Sequence, residues 1–153
     1  MKNLALVVAL ALTSVAFGQG GADAPKNDAA AKAPAFKAHV LSVQELDQAL
    51  ADPGKVLVID VRRPDEVSSN GGFPVYLSIQ APELEHSLAW IPKGKPIITV
   101  SNHAARAGKA ADLLSAKGFK VIGAVGSQTY EQACGKLVTH IPVPAPKAAA
   151  ATH

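Results

Sequence analysis

Pro96-Ile-Ile-Thr-Val-Ser-Asn-His-Ala-Ala-Arg-Ala-Gly-Lys-Ala-Ala-Asp-Leu-Leu114 decides how this chain of 153 residues folds. Ile97–Val100 reads as a buried apolar strand. Ala104 to Lys117 reads as the strongest helix in the chain, and Gly118 stands where glycine is favoured past a helix C-terminus. Between them Ser101 opens a tight loop and Arg106 closes it. A loop running from a strand end into a helix N-terminus gathers backbone N–H groups at one spot, and the helix dipole adds partial positive charge.

Working outward, strands and helices alternate. Val40-Leu41 is a short strand, and Ser42-Val-Gln-Glu45 is a capping-box pattern opening a helix to about Ala51, with Val43, Leu46 and Leu50 on one stripe. Val56–Ile59 is a β-branched run of the kind buried on both faces. Pro64 starts a short helix through Val67, and Ser68 to Gly72 reads as loop. Val75–Ile79 is a further strand, and Ala81–Ala89 has helical periodicity with Leu84 and Leu88 inward. Val121-Ile122 is the last strand, and a final helix spans about Gln128 to Lys136. Helices of this length between strands imply an α/β domain, with a mainly parallel central sheet and helices on both faces.

The ends differ in composition. Lys2, the apolar run from Leu4 to Phe17 and the small residues Ala16 and Gly18 predict a signal peptide over 1–18, cut after Gly18. The run is short of the ~20 apolar residues of a span, so no membrane span is expected after cleavage. Residues 19–38 read as a disordered Ala/Lys/Pro-rich linker, 39–141 as one domain, and 142–153 as a Pro/Ala-rich flexible tail. The expected location is the periplasm or the outside of the cell. Loss of Lys2 takes 15 basic residues to 14 against 12 acidic ones, too even a balance for a nucleic-acid partner. The single cysteine, Cys134, forms no intramolecular disulfide.

The order and spacing of these fragments resemble the rhodanese-like family over about 40–140. The matching pieces are Ser42-Val-Gln-Glu-Leu46, Val58-Ile-Asp-Val-Arg-Arg-Pro-Asp-Glu66, Phe73-Pro74, Pro96–Val100, Ala110-Ala-Asp-Leu-Leu114, Gly118-Phe-Lys120 and Tyr130. The resemblance implies a single rhodanese-like domain whose active loop is Ser101, Asn102, His103, Ala104, Ala105 and Arg106. Its six-residue length is similar to the sulfurtransferase branch of the family. The family's catalytic cysteine position is then held by Ser101, which cannot carry a persulfide. Ala104 replaces a common mid-loop glycine, Ala107 a small polar residue, Gly72 a histidine, and Val125-Gly126-Ser127 a Glu-Gly-Gly turn. Asp60 and Arg62 resemble the family's structural pair, bracing the loop from behind.

Two readings of the loop stand open. In one, Arg106 offers a forked donor and Ser101 a hydroxyl to an oxyanion such as thiosulfate, sulfate or phosphate. In the other, the loop is closed by its own side chains and Arg106 pairs with a nearby carboxylate. Serine attack needs a neighbouring base, and His103 reads as an exposed loop residue instead. Cys134 reads as a small, mostly buried side chain on the last helix rather than a sulfur carrier. Histidines 39, 86, 103, 140 and 153 lack paired ligand spacing, so neither metal nor cofactor is expected. Tyr76, Trp90 and Tyr130 read as core. The expected function is therefore an exported domain without sulfurtransferase activity that binds an anion or an envelope protein. The alternatives are a sulfurtransferase or hydrolase with an atypical nucleophile in the 101–106 loop, and a scaffold whose flexible ends reach a partner.

Overall fold

The computed structural model describes residues 35–142. The expected signal peptide, most of the linker and the tail beyond Pro142 lie outside the described residues. Four strands form one parallel sheet in the order β2-β1-β3-β4: β1 (Leu57–Asp60), β2 (Leu77–Ser78), β3 (Ile97–Ser101) and β4 (Val121–Gly126). Among the described residues four α-helices accompany it: α1 (Val43–Leu50), α2 (Pro64–Asn70), α3 (Ala105–Ala116) and α4 (Ser127–Gln132).

Alternation along the central strands divides the core into two layers, because successive side chains point to opposite faces. Ile59 and Ile97 join Leu84, Ile91, Ala110, Leu114 and Phe119 on the α3 side. Val58, Ile98 and Val100 join Leu46, Phe73, Val125 and Tyr130 on the side of α1 and α4. Both central strands are thus covered twice, as their unbroken apolar runs predict.

Helix α1 begins as expected: Ser42 Oγ accepts from Glu45 N at 3.3 Å, and Glu45 Oε2 accepts from Ser42 N at 2.8 Å. Elsewhere the boundaries move. Helix α2 continues to Asn70 because the Ser68 and Ser69 hydroxyls donate back to Pro64 and Asp65 carbonyls, at 2.9 and 2.8 Å, instead of breaking the helix. The 81–89 segment is two 3-10 turns, Ala81–Glu83 and Leu88–Trp90, rather than an α-helix. Val40 makes an isolated parallel bridge to Ala124 in place of a strand.

Helix α4 stops four residues early. The chain turns beneath Tyr130: Gly135 N donates to the Tyr130 carbonyl at 2.9 Å, and a Cβ at Gly135 would lie 2.2 Å from the Tyr130 ring. The reversal holds Cys134 at φ 67° and leaves it exposed, which corrects its expected burial within the helix. Trp90 is likewise exposed rather than core, and Tyr76 is partly so, while Tyr130 is buried.

The fold also starts earlier than residue 39. Gly108 on α3 faces the Phe36 ring so closely that a Cβ there would lie 2.2 Å from it. Lys37 N donates to Asp112 Oδ2 at 2.8 Å, and Ala38 packs on Ala107, Ala111 and Ala124. One large apolar residue in an otherwise polar and small-residue stretch found a slot that only glycine leaves open.

Candidate functional site

Parallel strands end together, so the C-terminal ends of β1, β3 and β4 bring Asp60, Ser101 and Gly126 to one edge of the sheet, with α3 starting just beyond. Ser101 is the last residue of β3 and is 1 % exposed. Its Oγ accepts from Ala107 N at 3.0 Å, within the first turn of α3. No imidazole or carboxylate bonds this hydroxyl among the described residues.

Ala104 turns the loop. It precedes α3 with φ 62° and ψ −24°, in the left-handed region where an alanine costs about 1 kcal/mol. Such turns aim consecutive N–H groups at a common point. His103, at the loop tip, is exposed as expected, and its backbone carbonyl accepts from Ala105 N at 2.8 Å.

Behind the loop lies a buried ion pair. Arg62 is 0 % and Asp60 1 % exposed, and the Arg62 Nε and Nη2 donate to the Asp60 carboxylate at 2.7–3.1 Å. The remaining donors of Arg62 are spent on three different segments: Nη1 on Asn102 Oδ1 at 3.2 Å and Ser127 Oγ at 3.0 Å, Nη2 on the Gly71 carbonyl at 2.9 Å. Every arm of the guanidinium is engaged, as a buried charge requires. The expected bracing pair is brought together at the loop, and it reaches further than the resemblance implied.

At the mouth a second arginine faces a second carboxylate. Arg106 Nη1 donates to Glu66 Oε2 at 2.8 Å and Nη2 to Glu66 Oε1 at 2.5 Å. Asn102 Nδ2 adds a bond to Oε1 at 2.9 Å, and Arg63 N one to Oε2 at 3.1 Å. The Arg106 bonds, more than any other contact, hold the Glu66 carboxyl at a pKa of about 2 and push the Arg106 guanidinium up. Of the two readings left open for Arg106, the carboxylate partner is the one present.

Glu66 and Gly71 were given no role by sequence reasoning, and Gly126 and Ser127 entered it only as a departure from the family's Glu-Gly-Gly turn. Gly126 is pressed by the loop backbone: a Cβ there would lie 2.8 Å from Ala104 N, Asn102 O and His103 Cα. Asn102 O also accepts from Gln128 N at 3.1 Å, so the end of β4 is the floor on which the loop rests. Beside Arg106 a cleft of about 250 Å³ is lined by Ala81, Leu84, Lys109, Ala110 and Leu113, an apolar wall next to two cations. No group of three metal-ligating side chains forms among the described residues.

The model of the rhodanese-like domain matches residues 42–126, from the cap of α1 to the floor of the loop. Among solved structures, the reduced CoADR-RHD protein of Bacillus anthracis is 26 % identical with a TM-score of 0.60, covering 67 % of this chain and 18 % of its own. A thiosulfate sulfurtransferase of Pseudomonas aeruginosa is 22 % identical with a TM-score of 0.54, covering 67 % of this chain and 20 % of its own. A rhodanese-related protein of Thermoplasma volcanium is 22 % identical with a TM-score of 0.55, covering 61 % and 91 %. This chain thus spans about a fifth of the two larger proteins. A comparison with curated proteins finds no match.

Proposed function

The chain belongs to the rhodanese-like domain family, and from that membership we propose that it is an exported domain that does not transfer sulfur and that binds an oxyanion in the 101–106 loop. The fold is that of the sulfurtransferases; the chemistry at the loop argues otherwise, and chemistry decides function where fold does not.

The observation that carries the reading is the setting of Ser101. Its hydroxyl is buried, receives the Ala107 N–H, and has no base bonded to it among the described residues. A sulfur carrier at this position needs a thiolate, which a helix N-terminus stabilises readily and a serine does not provide. Ser101 is therefore a ligand and a structural clasp, not a nucleophile.

Glu66 supports the second half. Its carboxylate takes four hydrogen bonds at the mouth of the loop, two of them from Arg106. It acts as an internal anion, marking where an external one gains the same donors. Arg106 is 40 % exposed, so the exchange of Glu66 for thiosulfate, sulfate, phosphate or a carboxylate presented by an envelope partner takes place in contact with water. Such an exchange gives weak, salt-sensitive binding.

The test is thiosulfate-to-cyanide transfer by the unmodified protein beside Ser101→Cys, with thiosulfate binding followed by calorimetry. The proposal expects no turnover in the parent, turnover in the variant, and thiosulfate binding by both. Turnover by the parent overturns the loss of activity; absence of thiosulfate, sulfate and phosphate binding overturns the anion site.

A further inference from the structure

The end of the sheet opposite the loop carries a feature that the anion site does not use. Because all four strands are parallel, the residues preceding β1, β3 and β4 come to one end. Those residues include Lys55, Lys95 and Lys120, and the Lys120 carbonyl accepts from Ile97 N at 2.8 Å. Helix α3 returns toward the same end and leaves Lys117 at its C-terminus. Lys93 completes the set, with Nζ 5.6 Å from the Phe119 ring centre.

All five lysines are exposed. Lys55 pairs with Asp52 at 2.9 Å and Lys117 with Glu85 at 3.1 Å; Lys93, Lys95 and Lys120 make no ion pair among the described residues. Residues 35–142 hold 11 basic against 10 acidic side chains, so a cluster of five lysines beside two carboxylates concentrates positive charge at this end.

Trp90, between Ala89 and Ile91 in the chain, adjoins this end and is 83 % exposed. Its neighbours Leu88, Ala89 and Ile91 line an open cleft of about 530 Å³ with Lys93, Lys117 and Phe119. Protein interfaces gather several large apolar anchors around a centre. Trp90 is the most exposed large apolar side chain among the described residues, ahead of Ile141 at 71 %. An exposed indole next to a lysine-lined cleft is the pattern of a bilayer interface, where tryptophan sits at headgroup level and lysine stems lie along apolar surface with their charges in water. Anionic headgroups supply the complementary charge, and basic residues near such a surface add attraction that falls away within a Debye length. No helix of the described residues is long and apolar enough to cross a membrane.

We propose that the end bearing Trp90 and Lys55, Lys93, Lys95, Lys117 and Lys120 docks the domain on an anionic phospholipid bilayer, turning the 101–106 loop away from the membrane. The reading is independent of what the loop binds.

The chain's single tryptophan makes the test direct. The chain from Gln19 onward, as expected after signal cleavage, is mixed with phosphatidylcholine vesicles, with and without phosphatidylglycerol, and Trp90 emission is recorded across salt concentrations. The expected result is a blue shift with phosphatidylglycerol only, reversed by salt, with vesicle binding weakened about tenfold in Lys95→Glu/Lys120→Glu and in Trp90→Ala, the latter read by sedimentation. Sedimentation with vesicles while Trp90 emission stays unchanged overturns the proposal, since another part of the chain then makes the contact. An emission shift with soluble polyglutamate and none with vesicles also overturns it, and assigns this end to an acidic protein.

Discussion

Two arginines serve the same loop, each on a carboxylate, and they do opposite work. Arg62 and Asp60 are sealed behind it at 0 % and 1 % exposure; Arg106 and Glu66 stand at its mouth at 40 % and 15 %. Behind the loop, the guanidinium ties β1 to Asn102, Ser127 and Gly71, so removing it strands a buried charge and three unsatisfied partners. At the mouth, water competes for both partners and the pair is exchangeable. The loop is thus anchored by a sealed ion pair behind it and meets water through a partly exposed pair at its mouth.

The sharpest way to break that contrast is Arg62→Met. It leaves Asp60 buried without a counter-charge and is expected to cost about 3–5 kcal/mol in urea unfolding. A loss under about 1 kcal/mol would mean that the inner pair is no more important to the fold than the outer one. Gly126→Ala attacks the floor instead of the anchor. Its Cβ meets three loop backbone atoms at 2.8 Å, so the expected cost is about 1–3 kcal/mol, with thiosulfate binding lost along with the loop geometry.

Glu66→Gln sharpens the contrast from the other side. Since Arg106 is well hydrated, the stability loss at neutral pH is expected to stay below about 1 kcal/mol, while thiosulfate binding tightens because Arg106 is released. The same pair sets an acid dependence. The Glu66 carboxyl is held at about 2, below its unfolded value of 4.5, so its contribution is fully present above pH 4.5 and is lost as pH falls toward 2. Acid titration of unfolding stability in the parent is expected to show this loss, and Glu66→Gln to lack it. The smallest effect belongs to Ala104→Gly, which relieves the left-handed alanine and is expected to gain up to about 1 kcal/mol without altering either ion pair.

The inner and outer pairs also differ in how readable they were. Asp60 and Arg62 are two residues apart on a strand end, within a motif whose spacing carries the resemblance. Glu66 lies in the same motif, but its partner Arg106 is 40 residues away, and only the parallel pairing of β1 with β3 brings them together. An acidic residue in the first turn of the helix after β1 was the available signal. The strands were legible because burial on both faces leaves an unbroken apolar run. The helix ends were not, since Ser68 and Ser69 turn inward to the backbone and Cys134 takes a left-handed turn that no periodicity announces. Trp90 misled because an indole is read as core unless the surface around it is known.

Gly108 has a mechanical consequence. The Phe36 ring is keyed into the gap that this glycine leaves, Lys37 N is pinned to Asp112, and Val40 bridges to Ala124 on β4. Any load arriving through the chain before residue 35 is therefore taken first by α3 and the β4 edge, close to the elements that frame the loop. The anchor of this segment and the 101–106 loop share helix α3, so strain applied at Phe36 reaches the loop through that helix.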